Sequence, residues 1–337
     1  MYDSPAFVST AISERMDIFY SFRILQQPMA CKHYISKFIL VMLIASIPAK
    51  HTAAQQYFLP ASDQFRPDRL KKIVWTESAV FVLTSVGLYF LWYKKFPKSR
   101  FHLLNDNKEW LQMDKLGHAT TAYNVSVMQH DLLRWSGVKP NQAILGGALT
   151  SLAFLSIVEV MDGFSRDWGF SGGDMLANIS GAGLFAIQQR AWGEQRIGLK
   201  FSASFTPYAQ DNPKLFNKKW AERLMKDYNG QTYWLSVNLR SFMKTESNFP
   251  AWMNVAAGFG GDGMIGALKN PATIDGKEIP SFKRTRQFYL APDADLHRIR
   301  SVQALNAPLF LLQYFKTPAP AIEWKTDGKL SLKPFQF

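Results

Sequence analysis

Between residues 70 and 192 the hydrophobic positions follow a helical period. Four helical segments are predicted there: an almost continuously apolar one, an amphipathic polar one, one rich in small apolar residues, and an intermediate one. They cover residues 76–93, 114–135, 143–160 and 175–189. Because the connections between the last three are short, we expect an antiparallel, up-and-down four-helix bundle.

Beyond Trp192 the period changes from helical to two, which is typical of strands. Apolar and polar residues alternate over 199–206 and 235–240 as in half-buried strands, with weaker strand signals at 253–259 and 287–290. Residues 218–228 favour a basic helix, and Asp327-Gly328 predicts a terminal hairpin. The expected fold class is α+β, with the helical bundle followed by a C-terminal antiparallel β region that carries helical insertions.

The alternating pattern predicts a sheet but does not say what lies against it. A closed membrane barrel needs about eight strands, and the pattern offers fewer. A sheet that rests on a membrane or on a partner protein is therefore the favoured interpretation.

The first helical segment has the length and polarity expected of a membrane span. Its 18 residues, 76–93, approach the roughly 20 that a bilayer requires, and lysines lie on both sides at 71, 72, 94 and 95. We therefore expect a membrane-associated bundle, with a soluble bundle around an apolar core as the alternative. The aromatic content of 14% agrees, while a mean hydropathy of -0.12 excludes a wholly hydrophobic polytopic protein.

The N-terminal residues predict export. Met29 precedes Lys32 and Lys37, an apolar run over 38–47, and small residues that suit cleavage before Gln55. The predicted organisation is an upstream segment and signal peptide at 1–54 with its true start at Met29, a helical domain at 70–192, and a β-rich domain at 195–337.

Export places the chain in the cell envelope of a Gram-negative bacterium. Two arrangements stay open, one in the inner membrane with a periplasmic C-terminal part, the other wholly periplasmic or associated with the outer membrane. Cys31, the single cysteine, precedes the apolar run and is misplaced for lipid attachment, and the exported chain then has no thiol for a disulfide or for catalysis.

The net charge of +13 comes from scattered basic residues. They form no basic stripe with interleaved aromatic residues and no nucleic-acid-binding motif, so we expect no nucleic-acid partner. Membrane lipid is the expected partner, with an envelope protein as the alternative.

Three polar motifs lie at the ends of predicted helices, and antiparallel packing brings them to one end of the bundle. The first opens the second segment, the next closes the third, and the last opens the fourth. They contain the candidate catalytic residues Asp114, Lys115, His118, Glu159, Asp162 and Asp174, with Ser171, Asn178 and Gly181 in support.

Helix capping explains part of this pattern. Asp114 is predicted to cap its helix, and Ser171 with Asp174 has the spacing of a capping box. Glu159 and Asp162 are different, because the helix dipole disfavours acids at a C-terminus. We expect a compensating charge from Lys115, a protonated His118, Arg166 or a bound cation. No cofactor is predicted; a divalent metal on His118, Glu159, Asp162 and Asp174 is the alternative, without a strict ligand spacing to support it.

The order of these motifs resembles a known family. Asp-Lys-x-x-His, then an acid and Asp-Gly, then Gly-x-Ser-x-x-Asp followed by Asn and Gly is similar to the YfiM-like family of predicted periplasmic lipoproteins, and more distantly to VanZ-like membrane proteins. The resemblance covers about residues 110–190 and implies an envelope protein of uncharacterised function. The chain departs from the lipoprotein pattern because it lacks a cysteine for lipid attachment after its apolar run.

Two functions remain. The favoured one is a non-catalytic envelope protein in which the polar residues hold one end of the bundle together and the β-rich part binds membrane or a partner. The alternative is an envelope hydrolase acting on a lipid or a lipid-linked precursor. There Glu159 or Asp174 would be the general base, His118 an acid or ligand, and Lys115 would stabilise negative charge.

Overall fold

The computed structural model describes residues 59–91, 94, 97–216, 220–244, 246–299 and 303–336. The predicted start at Met29 and the signal peptide within 1–54 lie outside the described residues. The described residues belong to one compact unit spanning 53–337, which contains both the helical and the β-rich region.

Helices form at all four predicted places, and local signals set their ends. Pro140, whose fixed φ suits a first helical turn, opens the third helix, and Gly193 closes the fourth with φ 70°. The helices are α1 (Pro67–Leu91), α2 (Met113–Trp135), α3 (Pro140–Gly163) and α4 (Gly172–Trp192).

The closely packed bundle has three helices rather than four. Tyr123 and Val127 of α2 pack against Phe185 of α4, and Ser151 of α3 donates a hydrogen bond to the carbonyl of Ala122 at 2.8 Å. In contrast α1 lies beside the bundle with a largely exposed surface. The four-helix bundle is therefore not confirmed.

The C-terminal half forms the predicted antiparallel sheet, and the α+β class is confirmed. Six strands pair in the order β10-β9-β8-β5-β4-β3, with an antiparallel register throughout. They are β3 (Ile197–Ala203), β4 (Gln231–Asn238), β5 (Met253–Asp262), β8 (Thr285–Ala294), β9 (Ala319–Lys325) and β10 (Leu330–Gln336). The turn between β9 and β10 contains Asp327-Gly328, as predicted, with Gly328 at φ 89°.

Short elements fill the connections. Three helical insertions follow β3 and β8: α5 (Pro213–Phe216), α6 (Trp220–Lys226) and α7 (Gln303–Leu312). Two small pairs of strands complete the described part of the chain: parallel β1 (Leu103–Leu104) with β2 (Phe170–Ser171), and the hairpin of β6 (Thr273–Ile274) with β7 (Lys277–Glu278).

The sheet buries the face that carries the polar positions of the alternating pattern. Lys200 and Ser202, the polar positions of β3, are buried at 6% and 5% exposure, whereas Leu235 and Leu290 are 42% and 53% exposed. The buried face mixes aromatic, small and charged residues, including Trp234. This face can be buried because its polar side chains have buried partners, such as Asp293 for Lys200 at 2.7 Å.

Candidate functional site

Side chains from three helix ends meet in one cluster, which we call the helix-end cluster. The start of α2, the end of α3 and the start of α4 supply most of it, as the motif order predicted. Its members are Asp106, Asp114, Lys115, His118, Glu159, Ser171, Asp174, Asn178 and Tyr228, all joined by the contacts described below.

Lys115 lies at the centre of the carboxylates. Its Nζ is 2.6 Å from Asp106 Oδ2, 2.8 Å from Asp174 Oδ1 and 3.4 Å from Asp114 Oδ2. Its side chain is only 14% exposed, so water screens these charges less than at a protein surface. A single ammonium group therefore interacts with three carboxylates.

His118 connects all three helices. Its Nδ1 is 3.1 Å from Asn178 Oδ1, and because an amide oxygen only accepts, Nδ1 carries the hydrogen. On the other side of the ring, Nε2 lies 3.5 Å from Glu159 Oε1, 3.9 Å from Asp174 Oδ1 and 4.0 Å from Asp114 Oδ1. His118 thus supplies part of the compensating charge that the sequence required for Glu159.

Ser171 caps α4 as predicted, but its partner in the capping box is different. Its Oγ accepts a hydrogen bond from the Asp174 N–H at 3.1 Å, and its own N–H donates to Glu159 Oε2 at 3.1 Å. In a capping box the acid three residues on would accept the second bond. Here Glu159 from α3 does so, which joins the two helix ends and leaves the Asp174 carboxylate for Lys115.

Replacing Ser171 with alanine is expected to lower the free energy of unfolding by about 1–2 kcal/mol, because the cap and the 2.6 Å hydrogen bond from Ser171 Oγ to Asp106 Oδ1 are both lost. Chemical unfolding followed by tryptophan fluorescence measures this loss. Ser180→Ala on the exposed side of α4 is the matched control and should be neutral or slightly stabilising. Equal stability of both variants would contradict the capping role.

The charges of the cluster shift the pKa of its members in different directions. Burial lowers the pKa of Lys115, but Asp114, Asp106 and Asp174 outweigh it, so its pKa is raised and it stays charged. Burial and the negative charge of Asp114 raise the pKa of Asp174 to about 7, against the opposing effects of His118 and Lys115. The two partners of this ion pair differ because Lys115 divides its charge among three acids and cannot hold each of them fully ionised.

The pKa of His118 is also raised. Burial lowers it, but the carboxylates of Asp114, Asp174 and Glu159 and the hydrogen bond with Asn178 more than compensate. The positive form of the ring therefore persists to higher pH than in a free histidine, in the absence of another cation.

Two of the predicted roles differ from the structure. Asp114 does not cap α2: the capping position is Gln112, in a left-handed conformation without a side-chain cap, and Asp114 lies inside the first turn. Arg166 forms an ion pair with Asp167 at 3.3 Å, and the predicted pairing of Arg166 with Glu159 is not seen among the described residues. The backbone carbonyl of Asp162 accepts a hydrogen bond from the Ser165 N–H at 2.9 Å, at the end of α3. Gly181 lies where α4 approaches the backbone of α2.

Sequence reasoning missed two members of the cluster. Asp106 comes from the loop before α2, where no periodic signal marks it. Tyr228 follows α6 in the C-terminal half, and its hydroxyl donates to Asp114 Oδ1 at 2.6 Å. The aromatic ring of Trp110 lies 5.5 Å from that of Tyr228, in a turn where Trp110, Leu111 and Gln112 all have positive φ. This strained turn brings α2 to the β-rich region.

The ligand types present can hold a metal ion but also suit ion pairing. One ligand atom each from Asp114, His118 and Asp174 lies within 4.8 Å of the others. The cavity described for this structure is elsewhere, about 50 Å³ in volume, and is lined by residues that include Tyr123, Lys200 and Tyr314. Ligand pockets are usually several times larger.

Comparison with known proteins supports the envelope interpretation. Residues 103–190, about a quarter of the chain, match the model of a family described as predicted periplasmic lipoprotein (DUF2279). The match contains every predicted candidate residue and supports an uncharacterised periplasmic lipoprotein family, without favouring YfiM-like or VanZ-like relatives in particular. No curated protein and no solved structure matches the chain. The six-stranded sheet lies outside the matched residues.

Proposed function

We propose that this chain is a non-catalytic cell-envelope protein that contacts membrane lipid through α1, the outward face of α3 and the apolar face of its sheet. The helix-end cluster, in this proposal, holds the bundle ends in place. One observation carries the proposal: two apolar rows run across the sheet, and their members on β8, β9 and β10 are exposed, with Leu290 at 53%, Trp324 at 49% and Leu330 at 72%.

The first row is aliphatic. Residues directly opposite one another on adjacent strands share a face, and the register aligns one apolar residue from each of the six strands. In sheet order from β3 the row is Leu199, Leu235, Ala257, Leu290, Ile322 and Leu332. Leu332 is 70% exposed.

The second row is largely aromatic and lies two residues along each strand. In the same order it is Phe201, Tyr233, Phe259, Phe288, Trp324 and Leu330. Neighbouring rings touch, with centroids 5.3 Å apart for Phe259 and Phe288 and 5.2 Å apart for Phe288 and Trp324.

The order of polarity along the strands indicates lipid as the occupant. Beyond the aromatic row, Arg286 and the exposed Thr326 give a polar boundary, and beyond the aliphatic row Val255 and Pro292 continue the apolar surface. A change from polar through aromatic to aliphatic residues matches the depth profile of a membrane interface.

The helices present similar surfaces. By length and composition two are long and apolar enough to cross a membrane, Pro67–Phe90 with mean hydropathy 1.5 and Pro140–Gly163 with 1.9. Trp75 and Leu83 of α1 are 77% and 70% exposed. Glu77, an acid within this apolar helix, accepts a hydrogen bond from Gln129 of α2 at 3.2 Å, so its polar group faces protein.

Basic residues lie where lipid headgroups would meet the ends of α1. Lys71 and Lys72 are exposed in its first two turns, and at the other end the Nζ of Lys94 is 5.1 Å from the centre of the Phe90 ring. Such flanking lysines favour anionic headgroups, in agreement with the net charge of +13. The 18 residues from Ile73 to Phe90 span about 27 Å, at 1.5 Å per residue, which is close to the roughly 30 Å hydrocarbon layer.

The helix-end cluster supports the non-catalytic part of the proposal. Its carboxylates are engaged by Lys115, His118, Tyr228 and the backbone of Ser171. The cavity lined by Tyr123, Lys200 and Tyr314 has no residue of this cluster in its lining.

A fluorophore placed on the apolar face of the sheet tests the lipid contact. Cys31→Ser removes the single native thiol, so that Leu290→Cys labels one exposed apolar position with a polarity-sensitive dye. In vesicles of phosphatidylethanolamine and phosphatidylglycerol, we expect blue-shifted emission, and quenching by nitroxide lipids at least about twofold stronger than for a dye in water.

The matched control carries the dye at Ser281→Cys, an exposed polar position in the loop before β8. Its emission should stay aqueous and its quenching weak. If the dye at position 290 behaves like the dye at position 281, the sheet does not contact lipid and the proposal fails for this surface.

A further inference from the structure

The Nε2 atom of His118 faces three carboxylate oxygens at distances that are too long for hydrogen bonds. They lie 3.5, 3.9 and 4.0 Å away, whereas N–H···O bonds measure about 2.7–3.2 Å. Because Nδ1 donates to Asn178, a neutral ring turns the lone pair of Nε2 towards these oxygens. One ligand atom each from Asp114, His118 and Asp174 lies within 4.8 Å of the others, and Glu159 Oε1 is the carboxylate oxygen nearest to Nε2.

Glu159 provides independent evidence for a missing partner at this point. Its side chain is 1% exposed, and its Oε1 has no hydrogen-bond donor among the described residues. The other oxygen, Oε2, is fixed by the Ser171 N–H, which directs Oε1 towards His118. A buried carboxylate oxygen without a donor is costly unless a cation binds it.

The excess negative charge of the cluster also favours a bound cation. Four carboxylates belong to the cluster, and the ion pairs described for them run to Lys115 and His118. Lys115 reaches three of these acids, whereas the ion pair described for Glu159 runs to His118. With all four carboxylates ionised, negative charge exceeds positive charge even when His118 is protonated.

We propose that Asp114, His118, Glu159 and Asp174 bind one divalent transition-metal ion, Zn²⁺ or Mn²⁺, that links the ends of α2, α3 and α4. Neighbouring ligands of a tetrahedral ion with bonds of about 2.0 Å lie roughly 3.3 Å apart, so the atoms of Asp114, His118 and Asp174, which lie within 4.8 Å of one another, must draw closer by side-chain rotation and Glu159 Oε1 must join them. One imidazole with three carboxylates suits these ions, and the absence of thiolate from the set disfavours Cu(I).

Partners outside the ligand set already orient its members. Asn178 holds the His118 ring, the Ser171 N–H holds Glu159, and the Tyr228 hydroxyl holds Asp114. Metal ligands in proteins usually have such supporting hydrogen bonds. This inference does not depend on the lipid-contact proposal, because the ligands belong to the helix ends and not to the sheet.

Isothermal titration of the full chain tests the site. The protein, purified without a polyhistidine tag and stripped with a chelator, should bind one Zn²⁺ or one Mn²⁺ per chain. His118→Gln and Asp174→Asn should each weaken binding by about 100-fold or more, and Asn178→Ala by about 10- to 100-fold. The matched control is His130→Gln, a buried histidine of the same helix that contacts Asp131 at 3.0 Å, and it should bind as the native protein does.

X-ray absorption spectroscopy of the native, zinc-loaded protein gives a result that does not depend on folded variants. We expect one imidazole nitrogen among oxygen ligands at about 2.0–2.1 Å. Absence of saturable binding by both ions, a shell without imidazole, or equal binding by the native protein, His118→Gln and Asp174→Asn would overturn the inference.

Discussion

Replacing Asp293 with asparagine is expected to lower the free energy of unfolding by about 3–5 kcal/mol, the cost of removing one partner from a buried ion pair. The Asp293 carboxylate lies 2.7 Å from Lys200 Nζ and 3.7 Å from Lys316 Nζ, and the side chains of Asp293 and Lys316 are 0% exposed. Burial raises the pKa of Asp293, but the two lysines outweigh it and lower the pKa to about 2. Asparagine would leave two ammonium groups beneath the sheet without their carboxylate.

Equilibrium unfolding in detergent, followed by tryptophan fluorescence, measures this effect. Trp234 is a local reporter, because Lys316 Nζ lies 5.1 Å from the centre of its ring. The matched control is Asp167→Asn, which breaks the exposed pair with Arg166 and should change stability by less than about 0.5 kcal/mol. A native-like stability of Asp293→Asn at pH 7 would show that the carbonyl groups around the lysines satisfy them sufficiently.

The deficit of Asp293→Asn should also shrink as the pH rises. Burial lowers the pKa of Lys316 from its ordinary value of 10.5 to about 8, even with Asp293 beside it. A lysine whose pKa is lower in the folded state binds fewer protons there than in the unfolded chain, so stability increases with pH between the two values. Without Asp293 the folded-state pKa falls further and this window widens, so the difference from the native protein should be smaller at pH 9 than at pH 7.

Replacing Gly181 with alanine is expected to lower the free energy of unfolding by about 3 kcal/mol, at the upper end of overpacking effects. An alanine Cβ at this position would lie 2.0 Å from the carbonyl oxygen of Ala119 and 3.0 Å from the Cβ of Ala122. The first contact is with backbone, which no side-chain rotation relieves, so α4 must move away from α2. Because Asn178 lies one turn from Gly181 in α4, the hydrogen bond between Asn178 and His118 should weaken as well.

Gly183→Ala in the same helix is the matched control. Nothing lies within 4 Å of a Cβ built there, so the better helix propensity of alanine should stabilise the protein by about 0.5–1 kcal/mol. Denaturant midpoints of both variants, with hydrogen exchange of the α4 amides, test the comparison. Equal stability of the two variants would show that the close approach of α2 and α4 does not constrain position 181.

The sequence motifs predicted part of the charge pairing in the candidate site. Glu159 at the C-terminal end of a helix required a compensating charge, and the sequence named Lys115 and His118 among the sources. His118 is the partner that faces it, while Lys115 lies among Asp106, Asp114 and Asp174. The sequence could limit the choice because helix ends are marked locally, but distances among side chains from separate helices decide which charge reaches which acid.

Local patterns by themselves indicated the four long helices and the strands of the six-stranded sheet, which helix ends carry the polar motifs, and where the last hairpin turns. These features depend on side-chain periodicity, capping and turn chemistry within a few residues. Only the tertiary structure decided which face of the sheet is buried. An alternating pattern defines two faces of a strand but does not say what covers them. Lys200 and Asp293, on strands far apart in the chain, form their ion pair on the buried face of the sheet.

The same reason explains the members of the helix-end cluster that no motif announced. Asp106 and Ser171 are separated by 65 positions in the chain, and Tyr228 and Asp114 by 114. No local signal specifies a hydrogen bond across such separations, since the packing of α2, α3, α4 and the β-rich region creates it. The sequence therefore determined the helix ends and their charges, and the fold determined which of those charges meet.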